Sequence, residues 1–176
     1  MLYEILRKYW WGLLLLAGCA KPGPPGRPLL TNPVLDRKLT RLLHFSVPLI
    51  SVGELQRKQE KVHIFDAREW EEFSASHIPG ARFAGYRDFD VKSVSYLSRD
   101  SEIVVYCSVG YRSEKVGEKL LKAGYQQVHN LYGGIFEWAD KGWPLEDERG
   151  TSTVKLHTYN ASWSQYPTSK DLVKIW

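Results

Sequence analysis

Two rhythms of apolar and polar positions run through residues 48–146. Short β-branched runs of strand length exchange with stretches where apolar residues recur every three or four positions, the period of a helix with one buried face. Leu49-Ile50-Ser51, Val62 to Asp66, Ile103 to Tyr106 and Val128 to Leu131 predict strands. Helices are predicted over Val52 to Gln59, over a segment that sets Trp70, Phe73 and His77 on one face, and over Ile135 to Lys141. Another follows Arg112, where Val116, Leu120 and Leu121 repeat at helix spacing and Gly124 stands in the C-cap position. Alternating strands and helices make an α/β fold, a parallel sheet covered by helices on both faces. Such sheets bind ligands beyond the carboxyl ends of their strands. The most hydrophobic strand, Ile103 to Tyr106, delivers Cys107 to that place.

The flanks follow other rules. Asn32-Pro33 reads as an N-cap with proline at the first helical position. Leu35, Leu39, Leu42 and Leu43 then predict a short amphipathic helix to about His44, so residues 32–47 form an N-terminal helix and link. Residues 147–176 form a C-terminal extension. Glu146 to Thr153 is polar and reads as a linker, whereas Val154, Leu156, Tyr159, Trp163, Tyr166 and Trp176 are too apolar for a free tail. Packing against the domain is the expected role, with shaping of the site's mouth or docking of a partner as the other reading.

At the start of the chain, Arg7 and Lys8 precede an apolar run of 12 residues, Tyr9 to Ala20. A membrane-spanning helix needs about 20 residues, and a secretory h-region about 7–15. The run ends in Leu16-Ala17-Gly18-Cys19, which resembles the lipobox of bacterial lipoproteins. That resemblance implies a signal peptide over residues 1–18 and lipid attached at Cys19. Ala20, rather than an aspartate, follows the cysteine, which implies an exported lipoprotein on the periplasmic side of the outer rather than the inner membrane. Residues 19–31 then form a tether, with four prolines and two glycines between Lys21 and Pro28.

Composition narrows the function. A net charge of +4 over 176 residues, with no run of five basic residues, argues against nucleic-acid binding. The two cysteines, Cys19 and Cys107, offer neither a disulfide framework nor metal-ligand spacing, and no cofactor or metal is expected.

The chemistry concentrates in Cys107-Ser108-Val109-Gly110-Tyr111-Arg112-Ser113. A strand, a tight loop and a helix start can turn backbone N–H groups toward a sulfur and favour its anion. Gly110 permits the backbone angles of such a cradle. Arg112 adds a permanent charge and a fork of donors suited to an oxyanion. Ser108 to Ser113 are therefore candidate substrate-binding residues around a catalytic Cys107, with Val109 and Tyr111 lining the mouth. Ser113 either caps the helix, the preferred role, or hydrogen-bonds the sulfur. Asp66 and Arg68 are expected as a buried ion pair that supports the loop walls, and His77 as a hydrogen-bonded turn residue. No histidine is placed beside Cys107 by the sequence.

Asp66-Ala67-Arg68, Glu72-Phe73, His77-Ile78-Pro79-Gly80-Ala81, the Cys107 loop and Gly133-Gly134-Ile135-Phe136-Glu137-Trp138 with Gly142-Trp143-Pro144 together resemble a single-domain rhodanese. Ser76 departs from the glycine that many members carry before His-Ile-Pro-Gly-Ala. The resemblance implies a rhodanese domain over residues 48–146, a five-stranded parallel sheet, and a sulfurtransferase whose cysteine carries a persulfide. Sulfane sulfur would pass from a donor such as thiosulfate to a thiol or protein acceptor. Two rivals share the fold. Phosphatases and arsenate reductases place one residue more between cysteine and arginine than the six-residue Cys107–Arg112 loop does. A non-catalytic scaffold lipoprotein would have no need of either residue.

Overall fold

A computed structural model of the chain describes residues 23–176. The expected signal peptide and Cys19 lie outside them. Strand β4, Glu102–Tyr106, is apolar on both sides because both of its faces are covered. Val104 and Tyr106 point into one hydrophobic cluster. Ile103, Val105 and Cys107 point into the other, as the period-2 geometry of a strand requires. On either side of β4 lie β5, Gln127–Leu131, and β2, His63–Asp66. The outer strands are β1, Leu49–Ile50, beside β5 and β3, Arg82–Phe83, beside β2. The order is β1-β5-β4-β2-β3, and all four pairings are parallel.

Helices α1, Pro33–Leu42, α2, Val52–Lys58, and α5, Gly134–Asp140, give their apolar stripes to the first cluster. The second cluster takes Val116 and Leu120 of α4, Tyr111–Lys122. A short α3, Trp70–Ala75, crosses from β2 to β3. The α1 start is as read: Asn32 accepts the N–H groups of Val34 and Leu35 at 2.8 and 3.2 Å, with Pro33 at N1.

Several expectations need correction. α1 stops at Leu42 because Leu43 turns extended, and Glu114 then takes the N–H groups of His44 and Ser46. His77 is not on α3. Ser76 is extended, and His77 forms an antiparallel bridge with Glu146 while its ring stacks on Phe73, 3.9 Å between centroids. The stretch read as a polar linker is an ordered hairpin of β6, Leu145–Glu146, and β7, Ser152–Thr153. Asp147 caps its turn by accepting from Arg149 and Thr151.

The rest of the extension packs. β8, Lys155–His157, pairs in parallel with β9, Val173–Ile175. Leu156 and Tyr166 are buried in the first cluster, each such side chain contributing roughly 1.5–3 kcal/mol. Among the described residues, no helix is long and apolar enough to cross a membrane.

Candidate active site

Cys107 emerges at the carboxyl end of β4, between the ends of β2 and β5. It is a free thiol, and its neighbours shape it closely. The Gly110 N–H donates to Sγ at 3.1 Å, an arrangement that Gly110 reaches with φ of +120°. Behind the loop, α5 begins against its backbone: the N–H groups of Ile135 and Phe136 donate to the carbonyls of Cys107 and Ser108. Gly134 makes that approach feasible, since a side-chain carbon there would overlap the Cys107 carbonyl oxygen at a φ of +57°.

Asn130 was invisible as a site residue and is central to it. It sits on β5 as one polar residue among Val128, His129 and Leu131, and it is fully buried. Its Nδ2 donates to the Gly110 carbonyl at 2.9 Å, and its Oδ1 accepts from Ser113 Oγ at 2.7 Å. Ser113 therefore does not cap the helix. The N-cap position belongs to Gly110, and Ser113 points inward with Oγ 3.5 Å from Sγ.

Arg112 is also differently engaged than a free fork would be. Glu72 of α3 takes both terminal nitrogens, at 2.5 and 2.7 Å, and Ser108 Oγ accepts from one of them at 2.9 Å. Burial alone would push the Glu72 carboxyl up, but the hydrogen bonds and charge of Arg112 together hold it below the usual carboxylate range. Burial likewise opposes the Arg112 charge, and Glu72 and the Cys107 sulfur outweigh it, so the guanidinium stays protonated. Glu72 belongs to the Glu72-Phe73 motif, but its role is not readable from sequence, because its partner lies 40 residues away.

Asp66 and Arg68 form the expected ion pair, fully buried, with Nη2 to Oδ2 at 2.7 Å. Arg68 also donates to the Ser76 carbonyl, tying the end of β2 to the turn after α3. They line no part of the cavity. The His77 Nδ1 lies 3.0 Å from the Phe73 carbonyl and its Nε2 3.3 Å from Glu146, so His77 is hydrogen-bonded as expected, but from a β-bridge that precedes the turn rather than from the turn itself.

In front of Cys107 opens a cavity of about 260 Å³. Cys107, Ser108, Val109, Tyr111 and Arg112 line it, whereas Gly110 and Ser113 stand behind the loop. Its remaining walls come from Leu42 at the end of α1, from Glu69, Tyr86 and Arg87, and from Tyr159 and Trp163 of the extension. Among the described residues no cluster of His, Cys, Asp and Glu could hold a metal ion. The arrangement can bind charge on one sulfur and present that sulfur to a largely apolar space.

The rhodanese-like domain model matches residues 51–141, just over half of the chain. The chain belongs to the rhodanese-like family. A sulfurtransferase of Allochromatium vinosum is 33% identical over 100 residues, covering 57% of this chain and 92% of that protein. Bacillus subtilis YrkF, named as a candidate sulfur carrier, is 32% identical over 99 residues, and the match spans 53% of its length. A tRNA uridine(34) hydroxylase of the Aster yellows witches'-broom phytoplasma is 34% identical over 118 residues, which span only 38% of it. This rhodanese-like chain thus covers about half or less of some curated relatives and nearly all of another. Among solved structures, a rhodanese-like domain protein of Staphylococcus aureus aligns with a TM-score of 0.50 and 30% identity, over 57% of this chain and 98% of that one. Thiosulfate sulfurtransferase of Pseudomonas aeruginosa aligns with a TM-score of 0.52 and 25% identity, over 60% of this chain and 21% of that one. The α/β rhodanese fold with a five-stranded parallel sheet, expected from the motifs, is the fold observed.

Proposed function

We propose that this rhodanese-like protein is a sulfurtransferase that carries sulfane sulfur on Cys107. The observation that carries the reading is the Cys107 sulfur itself: hydrogen-bonded by the Gly110 N–H, beside the Arg112 cation, and facing a cavity that reaches solvent. In the first step the Cys107 thiolate attacks the outer sulfur of a donor such as thiosulfate. A new S–S bond forms, the donor's S–S bond breaks, and its electron pair leaves with sulfite. In the second step an acceptor thiolate attacks the terminal sulfur, and the Cys107 thiolate departs as leaving group. Neither step has net oxidation, so no cofactor enters. The positive charge of Arg112 offsets the anion at each stage, and Glu72 fixes where that charge sits.

The donor and acceptor classes follow from the same chemistry, and the sulfurtransferase and sulfur-carrier names of the relatives support them. Steady-state transfer from thiosulfate to a thiol tests the reading. The protein should turn over and Cys107→Ser should not; transfer that survives this substitution would overturn the assignment.

The sequence motif at Cys19 supports a further element, export and lipid anchoring to the periplasmic side of a membrane. Cys19→Ala should then release the protein from the membrane fraction, and unchanged fractionation would defeat the anchor.

A further inference from the structure

Three side chains that reach the cavity lie outside the family region of residues 51–141: Leu42, Tyr159 and Trp163. The extension holds its two aromatics in place with effort. Tyr159 takes φ of +68°, a conformation that bulky L-residues rarely adopt. Its N–H donates to His157 Nδ1 at 3.1 Å, and its neighbours are pinned by Thr158 N–H to the Ile175 carbonyl and Asn160 N–H to the Thr158 carbonyl, both 2.8 Å. Asn160 Oδ1 then accepts the Trp163 N–H, and Trp163 packs against Tyr166 at 5.3 Å between centroids. Backbone strain of this kind persists only where surrounding structure enforces it, and it collects at binding sites.

The result is a wall across from the sulfur. The Arg112 guanidinium carbon stands 5.3 Å from the Tyr159 ring centroid, while about half of the Tyr159 surface remains open. Both arginines that line the cavity are already paired, Arg112 with Glu72 outside the cavity wall and Arg87 with Glu69 at 3.6 Å. With both cations already paired, a small dianion such as thiosulfate gains less than its charge suggests, and the apolar walls offer it no contact. The space is also generous, since one water needs roughly 10–15 Å³ and the cavity offers about 260 Å³.

We propose that Tyr159 and Trp163 are specificity-determining residues, and that with Leu42, Tyr86 and Tyr111 they favour a sulfane donor bearing a large apolar organic body over one with a small body. The proposal rests on the sulfurtransferase reading above. The chemistry of loading is unchanged. With an organic thiosulfonate, the Cys107 thiolate bonds to the outer sulfur, the donor's S–S bond breaks, and the sulfinate leaves with the electron pair, one charge on each product as on each reactant.

Benzenethiosulfonate and methanethiosulfonate test this directly, because they share charge and reacting atoms and differ only in the organic body. Second-order rate constants for persulfide formation on the whole chain are measured for both, each divided by the rate with free cysteine. The benzene donor should be favoured about tenfold, the scale of a well-formed aromatic contact. Tyr159→Asn with Trp163→Leu should bring that preference to within about twofold, asparagine being a residue that tolerates the left-handed backbone. Tyr159→Phe with Trp163→Phe should retain it. A wild-type ratio near one, or an unchanged ratio in an Asn/Leu variant that still loads sulfur, would overturn the proposal. Absence of persulfide in the wild type with both donors and with thiosulfate would instead overturn the sulfurtransferase reading beneath it.

Discussion

Replacing Asn130 by alanine removes the β5 side chain that ties Gly110 of the Cys107 loop to Ser113 on the first turn of α4. Two buried groups each lose one partner: the Gly110 carbonyl, which accepts from Asn130 at 2.9 Å, and the Ser113 hydroxyl, which donates to it at 2.7 Å. An unsatisfied buried polar group costs about 1–3 kcal/mol. Ser113 can redirect its hydroxyl to the Cys107 sulfur, 3.5 Å away, and recover part of its loss. The Gly110 carbonyl keeps the Glu114 N–H, at 3.1 Å, as its other donor. The expected destabilisation is therefore about 1–2 kcal/mol, the loss of two hydrogen bonds whose groups each keep a second neighbour. For a chain of this size that corresponds to a fall in Tm of roughly 2–8 °C, read by calorimetry or circular dichroism. Persulfide loading should slow as well, because the N–H that meets the sulfur belongs to the same Gly110. An Asn130→Ala variant with unchanged Tm and unchanged loading would refute the claim that β5 positions the loop. Asn130→Asp sharpens the test: Ser113 keeps its acceptor, the Gly110 carbonyl faces a carboxylate, and loading should fall further still.

Gly134→Ala should destabilise by at least ~2 kcal/mol in urea titration, since the added carbon overlaps the Cys107 carbonyl and φ of +57° disfavours it; near-wild-type stability would show that α5 does not dock where described. The pH profile of the urea midpoint has two parts. Burial keeps the His157 ring neutral below its usual value despite Glu72, with Arg68 and Arg112 acting in the same direction as burial. The unfolded chain therefore binds the proton first, and this contribution is lost as pH falls below about 6.5; burial lowers His129 in the same way, so His157→Gln should make that part of the profile shallower and leave the His129 share. The depressed Glu72 carboxyl contributes fully above about 4.3 and is lost as pH falls through its lower folded value. Deleting residues 150–176 removes Leu156 and Tyr166 from the core and should cost at least ~3 kcal/mol; a fully stable truncation would contradict that packing.

The parts of the fold that were legible in the sequence share one cause: their pattern is set by local burial. β4 is apolar on both faces, so Ile103 to Tyr106 announces itself, and Gly110 marks the loop that follows. β3 carries no such mark, because Arg82 and Phe83 are both exposed, and only the family resemblance predicted a fifth strand. The site's wiring was hidden for a different reason. Asn130 binds residues 17 and 20 positions earlier, and Glu72 meets Arg112 across 40. A polar residue in a strand shows that something holds it, not what. Tyr159 and Trp163 lie in a segment read as packing, with shaping of the mouth or docking of a partner as the other reading: the segment packs through Leu156, Tyr166 and Trp163, and Tyr159 and Trp163 also line the cavity.

If Cys107 carries the transferred sulfur, peptide-resolved mass spectrometry after exposure to a sulfane donor should show one sulfur atom gained on the Cys107 peptide, removed again by an acceptor thiol and absent from Cys107→Ser. A Cys107 peptide that gains no sulfur from any sulfane donor would contradict it.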